Sequence, residues 1–246
     1  MRKILTNLKK ADQDFNLISS NDYICVGISG GKDSMVLLDA LTTYQRYSPH
    51  PFKLVAIHVN LGFNSNDSLL KPIEDYCNRI AIPFINYKSE IYEILKLHTN
   101  DDGTLKCSLC SQLKKACIIE AAKKEGCNCV AFAHHGDDAV ETLMMNAING
   151  GRIATFAPKM YLDRSDIKFI RPLVYCSEQQ IITAQTNSDN IIPSIASGCP
   201  NDGNTQRTAI KTLLNNLYEQ YPMAQTNFIN MLSNIEQLKL WKKDDE

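Results

Sequence analysis

The chain has 246 residues, 44% hydrophobic and 22% charged, with a formal net charge of −1. These are the values of a soluble globular protein with one sizeable core and room for a small appendage, and any basic surface for nucleic acid must be local. No uninterrupted apolar run approaches the ~20 residues of a membrane span, and the opening Met1-Arg2-Lys3-Ile4-Leu5-Thr6 has no signal-peptide apolar segment; a cytoplasmic protein without a membrane partner is expected.

Ile4, Leu5, Leu8, Ala11 and Phe15 recur at helical spacing across residues 3–17. After a turn at Asn21-Asp22, the apolar run Tyr23 to Val26 reads as a buried strand, and Met35 to Leu41 as the helix that follows it. Phe52 to Asn60 is a second strand, Ser65 to Ile80 a helix and Pro83 to Tyr87 a third strand. Ile91 to His98 is helical, and so is Cys107 to Glu125, at least from Gln112. Cys129 to Ala133 is a fourth strand, and Asp137 to Asn149 a helix stopped by Gly150-Gly151. Lys168 to Arg171 is a fifth strand, ended by Pro172. Ser177 with Gln180 reads as a capping box, Ile191 to Ile195 as a last extended piece, and Thr205 to Tyr218 and Met223 to Leu240 as terminal helices. This alternation predicts an α/β fold, a parallel sheet with helices on both faces. Such sheets bind ligands at the carboxyl ends of their strands, where strand order reverses. The expected organisation is an N-terminal helix over 1–20, a catalytic domain over 21–200 and a C-terminal helical extension over 201–246.

Gly27-Ile28-Ser29-Gly30-Gly31-Lys32-Asp33-Ser34 joins the first strand to its helix. A glycine-rich turn in that place aims backbone N–H groups at one point, and the helix N-terminus adds positive potential there. It is not a Walker A loop. That motif would need Gly at position 26, which is Val26, and a hydroxyl where Asp33 stands. Ser29 to Ser34 instead resembles the PP-loop of the ATP pyrophosphatase superfamily, whose members have the adenine nucleotide alpha hydrolase-like fold, cleave ATP between the α and β phosphates and transfer AMP to an oxygen. The resemblance implies that Ser29, Gly30, Gly31, Lys32 and Ser34 hold the phosphates and that Asp33 holds Mg²⁺, an ion that favours carboxylate plus phosphate oxygens. His58, at the end of the second strand, is a further candidate for the nucleotide site.

Nine cysteines are an odd number, unevenly spread. Cys25, Cys77, Cys117 and Cys176 sit in apolar patterns and read as small core residues. Cys107-Ser108-Leu109-Cys110 is a C-x-x-C, and Cys199-Pro200 lies in a loop. A structural zinc site wants four ligands, commonly from two such knuckles, and Cys127-Asn128-Cys129 is too tight to be the second. Cys107, Cys110 and Cys199 would suit a [4Fe–4S] cluster with one iron open; zinc and thiol chemistry are the other readings of the same residues.

Four stretches together resemble one family, the tRNA 2-thiocytidine synthetases. They are residues 8–34, Cys107 to Lys115, Ala133-His134-His135-Gly136-Asp137-Asp138-Ala139-Val140-Glu141-Thr142, and Ile170-Arg171-Pro172-Leu173. The resemblance covers roughly residues 8–215. It implies an ATP-using, [4Fe–4S]-dependent tRNA sulfurtransferase that adenylates a pyrimidine carbonyl oxygen and replaces it with sulfur. The cluster would sit on Cys107, Cys110 and Cys199, with tRNA and a sulfur donor (sulfide or a cysteine desulfurase relay) as partners and a homodimer as the assembly. The chain departs from that branch in its short length and in Lys114, where arginine is common. A lysine there is more like the related 2-thiouridine enzymes, whose flanking zinc fingers are absent.

Asp137, Asp33 and Lys114 are the catalytic candidates, with a bland reading beside two of them: Asp137 or Asp138 as a helix N-cap, and Lys114 as a solvated helix lysine. His135 reads as a hydrogen-bonding support. Arg171 pairs with a buried carboxylate or touches RNA. Local tRNA contact would come from Lys106, Lys114, Lys115, Arg152, Lys159, Arg164, Lys168, Arg171, Arg207 and Lys211. Three rival readings stay in view: a cluster-free thiolase working through cysteine persulfide, a PP-loop ligase for another nucleophile, and a non-catalytic RNA-binding module.

Overall fold

The computed structural model describes residues 1–63, 67–187, 191–196, 198–201, 206–234 and 236. It divides into two compact units, Met1–His135 with Ala157–Thr205, and Gly136–Phe156 with Gln206–Glu246.

The first unit opens with α1 (Arg2–Phe15) and β1 (Tyr23–Ile28), then α2 (Lys32–Tyr44) and β2 (Lys53–Asn60). A short 3₁₀ turn (Asp67–Leu70) feeds α3 (Lys71–Arg79), whose Pro72 stands in the first turn, where a missing N–H costs nothing. β3 (Phe84–Lys88), α4 (Ile91–Lys96), α5 (Cys107–Lys124) and β4 (Cys129–Ala131) follow. The chain then builds α6 (Gly136–Gly150) in the second unit and returns to the first for β5 (Lys159–Leu162), β6 (Ile167–Ile170) and α7 (Glu178–Thr186). The second unit is completed by α8 (Gln206–Gln220) and α9 (Ala224–Met231).

The strand order is β3-β2-β1-β4-β6-β5. All pairs are parallel except β5 on β6. Consecutive residues Ile24, Cys25 and Val26 of β1 are all fully buried. Side chains alternate faces along a strand, so both faces of the sheet are covered. On one face Cys25, Val55, Ile57, Val130 and Phe169 pack with Ile118, Ala121 and Ala122 of α5. α2 packs against β1 and against α1 and α7. Among the described residues of the first unit, three carboxylates are buried with partners: Asp12 with Tyr44 (2.8 Å), Asp39 with Tyr76 (2.5 Å) and Asp22 with Lys168 (2.5 Å). Strand order runs outward from β1 through β2 to β3 on one side and through β4 to β6 on the other, so β1 and β4 flank the point where connections change direction.

The five expected strands and the capping box of Ser177 with Gln180 are present. β5 was not expected. It is a four-residue edge strand of half-exposed residues, too short to carry a pattern. Residues 191–195 pair with no strand. Positions 64–66, 202–205, 235 and those beyond 236, on which parts of three expected elements fall, lie outside the described residues. Lys168, expected among the RNA contacts, is instead buried against Asp22, because β6 is an interior strand covered on both faces.

Within the second unit, Val140 of α6 packs with Ile210 and Leu214 of α8, with Phe228 of α9 against them.

Candidate active site

The PP-loop follows directly from local chemistry. β1 ends at Ile28, and α2 begins at Lys32 with Gly31 as its N-cap. Gly31 has no side chain to cap the helix, so the first-turn N–H groups keep their positive potential for an anion. The loop braces itself instead. Ser29 Oγ accepts the Gly31 N–H at 3.2 Å, and Ser34 Oγ accepts the Ser29 N–H at 3.2 Å while donating to the Gly31 carbonyl at 2.9 Å. Gly30 has φ +88°, and a Cβ there would lie 2.4 Å from Ile195 Cγ1. Both the backbone angle and the contact demand glycine.

Lys32 Nζ lies 3.1 Å from Asp33 Oδ1 and 3.0 Å from Glu178 Oε1. Partial burial works against its charge, but the Glu178 and Asp33 carboxylates outweigh that and hold the ammonium above the usual lysine range. Glu178 is a site residue that the sequence did not reveal. As the first residue of α7 it looks like any acidic side chain favoured in a first turn. His58 pairs with Ile28 in the sheet register, and its Nδ1–H donates to the Ile28 carbonyl at 2.9 Å, which ties the ring to the strand that feeds the PP-loop.

Cys107 is the first residue of α5 and exposed; Cys110, one turn on, is buried. Burial pushes the Cys110 thiol up, the charge of Lys114 pulls it down, and Cys199 and Cys107 raise it. The three cysteines and Lys114 therefore share one electrostatic neighbourhood. A second contact holds the Cys199 loop there: Asn201 Nδ2 donates to the Leu105 carbonyl at 2.7 Å and to Cys107 Sγ at 3.5 Å. On the near side of Cys199, the Ile195 N–H donates to the Gly30 carbonyl at 2.9 Å. The same segment thus touches the PP-loop and the C-x-x-C.

Among the described residues no three His, Cys, Asp or Glu side chains are grouped closely enough to hold one metal ion.

A model of the PP-loop domain family matches residues 2–191. The chain is 33% identical over 243 residues to the tRNA-cytidine(32) 2-sulfurtransferase of Citrifermentans bemidjiense, covering 98% of this chain and 93% of that protein. The chain belongs to the tRNA-cytidine(32) 2-sulfurtransferase family of PP-loop proteins. The protein of the same name from Geobacter sulfurreducens is 33% identical over 237 residues, 96% of this chain and 90% of its own length. The relative of the same name from Nitrosospira multiformis is longer: the match takes 91% of this chain and 74% of that protein, at 33% identity. In fold it matches the structure titled U34-tRNA thiolase NcsA from Methanococcus maripaludis with its [4Fe–4S] cluster. The TM-score is 0.77 at 22% identity, over 97% of this chain and 80% of that one.

Further candidates lie in the second unit. Asp137 stands in the first turn of α6, buried, and accepts a hydrogen bond from Gln225 Nε2 at 2.7 Å. Asp138 and Glu141 lie 3.2 Å and 3.7 Å from Arg207. Arg207 is therefore engaged with carboxylates of its own unit. Burial, with Asp137 and Glu141 close by, pushes the Tyr218 phenol up to about 12. In the first unit, Arg171 Nη1 donates to the Ala157 carbonyl at 2.6 Å. His135 is buried. Burial raises the thiols of Cys25 and Cys129, and those of Cys77, Cys127 and Cys176 to about 11, 12 and 12. Such thiols stay protonated and inert. They are packing residues, as expected for Cys25, Cys77 and Cys176; Cys117 is half-exposed. No helix among the described residues is long and apolar enough to cross a membrane.

Proposed function

We propose that this protein is an ATP- and [4Fe–4S]-dependent enzyme that replaces the 2-carbonyl oxygen of a cytidine in tRNA with sulfur. The observation that carries the reading is the segment from Ile195 to Asn201, which touches the PP-loop at Gly30 and the C-x-x-C at Cys107 and bears Cys199 between them. An AMP-transferring loop and a set of three thiols linked by one segment suit a two-stage reaction. The curated relatives' names supply the nucleoside.

In the first stage the ATP phosphates rest on Ser29, Gly30, Gly31 and Ser34 with the positive end of α2 beneath them. Lys32 exchanges part of its contact with Glu178 and Asp33 for phosphate oxygens, and Asp33 holds Mg²⁺. The base carbonyl oxygen attacks the α-phosphate and pyrophosphate leaves. Fixed positive groups aimed at the phosphates carry most of this step. Asp137 assists as a further acidic group. In the second stage sulfide attacks the activated carbon and AMP departs. Cys107, Cys110 and Cys199 would hold the cluster, which when bound supplies an open iron as a Lewis-acidic seat for sulfide. Lys114, one turn from Cys110, pulls that thiol down and would favour the thiolate that the cluster needs. Sulfide or a desulfurase relay as donor, a homodimer and a cytoplasmic location complete the proposal.

The test is anaerobic. Protein purified without oxygen is expected to be brown, with iron and acid-labile sulfide. Given ATP, Mg²⁺, sulfide and unmodified tRNA it should release one pyrophosphate per thionucleoside formed. A colourless protein that thiolates at the same rate would move the reading to cysteine persulfide, and pyrophosphate release without any thionucleoside would move it to another nucleophile.

A further inference from the structure

The side-chain amide of Asn201 has two N–H bonds, and both are directed at the start of α5. One donates to the Leu105 carbonyl at 2.7 Å, the other to Cys107 Sγ at 3.5 Å. The N-cap of α5, Lys106, makes no side-chain cap bond. A residue 94 positions away thus braces the helix start that presents the C-x-x-C. Only Pro200 separates Asn201 from Cys199, and proline fixes its own φ. The anchor of the loop and its thiol are therefore held at a short, stiff spacing.

We infer that Asn201 is a positioning residue for Cys107 and that its N–H···S contact sets the reduction potential of the metal–sulfur group bound there. The inference rests on the cluster reading above and deepens it. A hydrogen bond from a neutral amide to sulfur strengthens as the sulfur gains negative charge. The reduced cluster places more negative charge on its sulfurs than the oxidised one, so a donor at Cys107 favours reduction and raises the potential. Asn201 touches neither tRNA nor ATP in this role; it acts through Cys107.

The experiment compares reconstituted wild type with Asn201→Ala, Asn201→Asp and Asn201→Gln. Iron and labile sulfide per chain, the midpoint potential by spectroelectrochemical titration, and the melting temperature of the iron-free proteins are measured for each. Asn201→Ala is expected to load less iron than wild type and to shift the midpoint to more negative values. Asn201→Asp, close to isosteric but without the amide donor, should shift it further in the same direction. Asn201→Gln, which keeps the donor, should recover part of the shift. Variants with wild-type iron content and wild-type potential would overturn the inference while the cluster reading stands. So would iron loss that tracks a lowered melting temperature of the iron-free protein, since that marks a loop brace only. A wild-type chain that binds no iron overturns both.

Discussion

The PP-loop and the cysteine site lie in the same unit but are built in opposite ways. The PP-loop is contiguous. Its bracing bonds among Ser29, Gly31 and Ser34 close within five positions of the chain. The cysteine site takes two thiols from the first turn of α5 and a third from a loop that reaches Cys107 across 94 positions. A contiguous site owes its shape to local backbone preference and survives perturbation elsewhere. A site gathered from distant segments depends on the few contacts that hold those segments together.

The largest effects should separate the two regions cleanly. Cys199→Ala, like Cys107→Ala or Cys110→Ala, is expected to reduce bound iron and thiolation to background while tRNA-dependent pyrophosphate release persists. Asp33→Asn should do the reverse: iron content unchanged, thiolation down about a hundredfold or more. Iron analysis beside a pyrophosphate assay reads both. An iron count unchanged in Cys199→Ala would remove that residue from the site.

Gly30→Ala sharpens the comparison because it strikes the point where the regions meet. A non-glycine residue at φ +88° costs roughly 1–2 kcal/mol, and its Cβ would displace Ile195. ATP affinity should fall about tenfold or more. Iron loading should fall in part, because the Ile195 bond to the Gly30 carbonyl steadies the segment that carries Cys199. Full iron retention in Gly30→Ala, measured beside ATP binding by calorimetry, would mean that the two regions are independent.

RNA binding is tested separately from both regions. With four to six phosphates neutralised, affinity should fall about a hundredfold between 50 and 200 mM salt. Lys115→Glu combined with Lys211→Glu should weaken binding and leave iron content intact. Lys168 is not a candidate for such a contact, since it is buried with Asp22. A flat salt dependence by filter retention would exclude a phosphate-contacting surface.

The smallest effect concerns cysteines outside the site. Burial holds the Cys77 and Cys176 thiols at about 11 and about 12 in the fold, against about 8.5 when unfolded. A raised folded pKa favours the neutral form, so its contribution to stability is complete below about pH 8.5 and declines as pH rises toward the folded values, by at most about 1.4 kcal/mol per unit for each thiol. Urea melts at pH 7, 9 and 10.5 should show that decline, and Cys176→Ala should flatten it without altering iron content.

The same contrast governs what the sequence discloses. Residues 29–34 declare an anion loop because strand, glycine turn and helix are adjacent and each has a local signature. The five expected strands are legible for a related reason: they carry apolar runs such as Leu54-Val55-Ala56-Ile57, buried because both faces of the sheet are covered there. β5 is not legible, since an edge strand of four half-exposed residues carries no pattern. Glu178, which takes the PP-loop lysine from 146 positions away, and Asn201, which braces the C-x-x-C, are ordinary polar residues in the sequence. They acquire meaning only from tertiary contact. Cys107 and Cys110 announce themselves by spacing, whereas Cys199 is marked only by its Cys-Pro pair in a loop and is joined to them firmly only by the resemblance to a family.

The most direct measurement is mass spectrometry of tRNA nucleosides from cells with the gene, without it, and with the gene restored as wild type or as Cys199→Ala. The account predicts that 2-thiocytidine is present with the wild-type gene, absent without it, restored by wild type and not by Cys199→Ala. An unchanged thionucleoside profile in the deletion strain, or full restoration by Cys199→Ala, would contradict it.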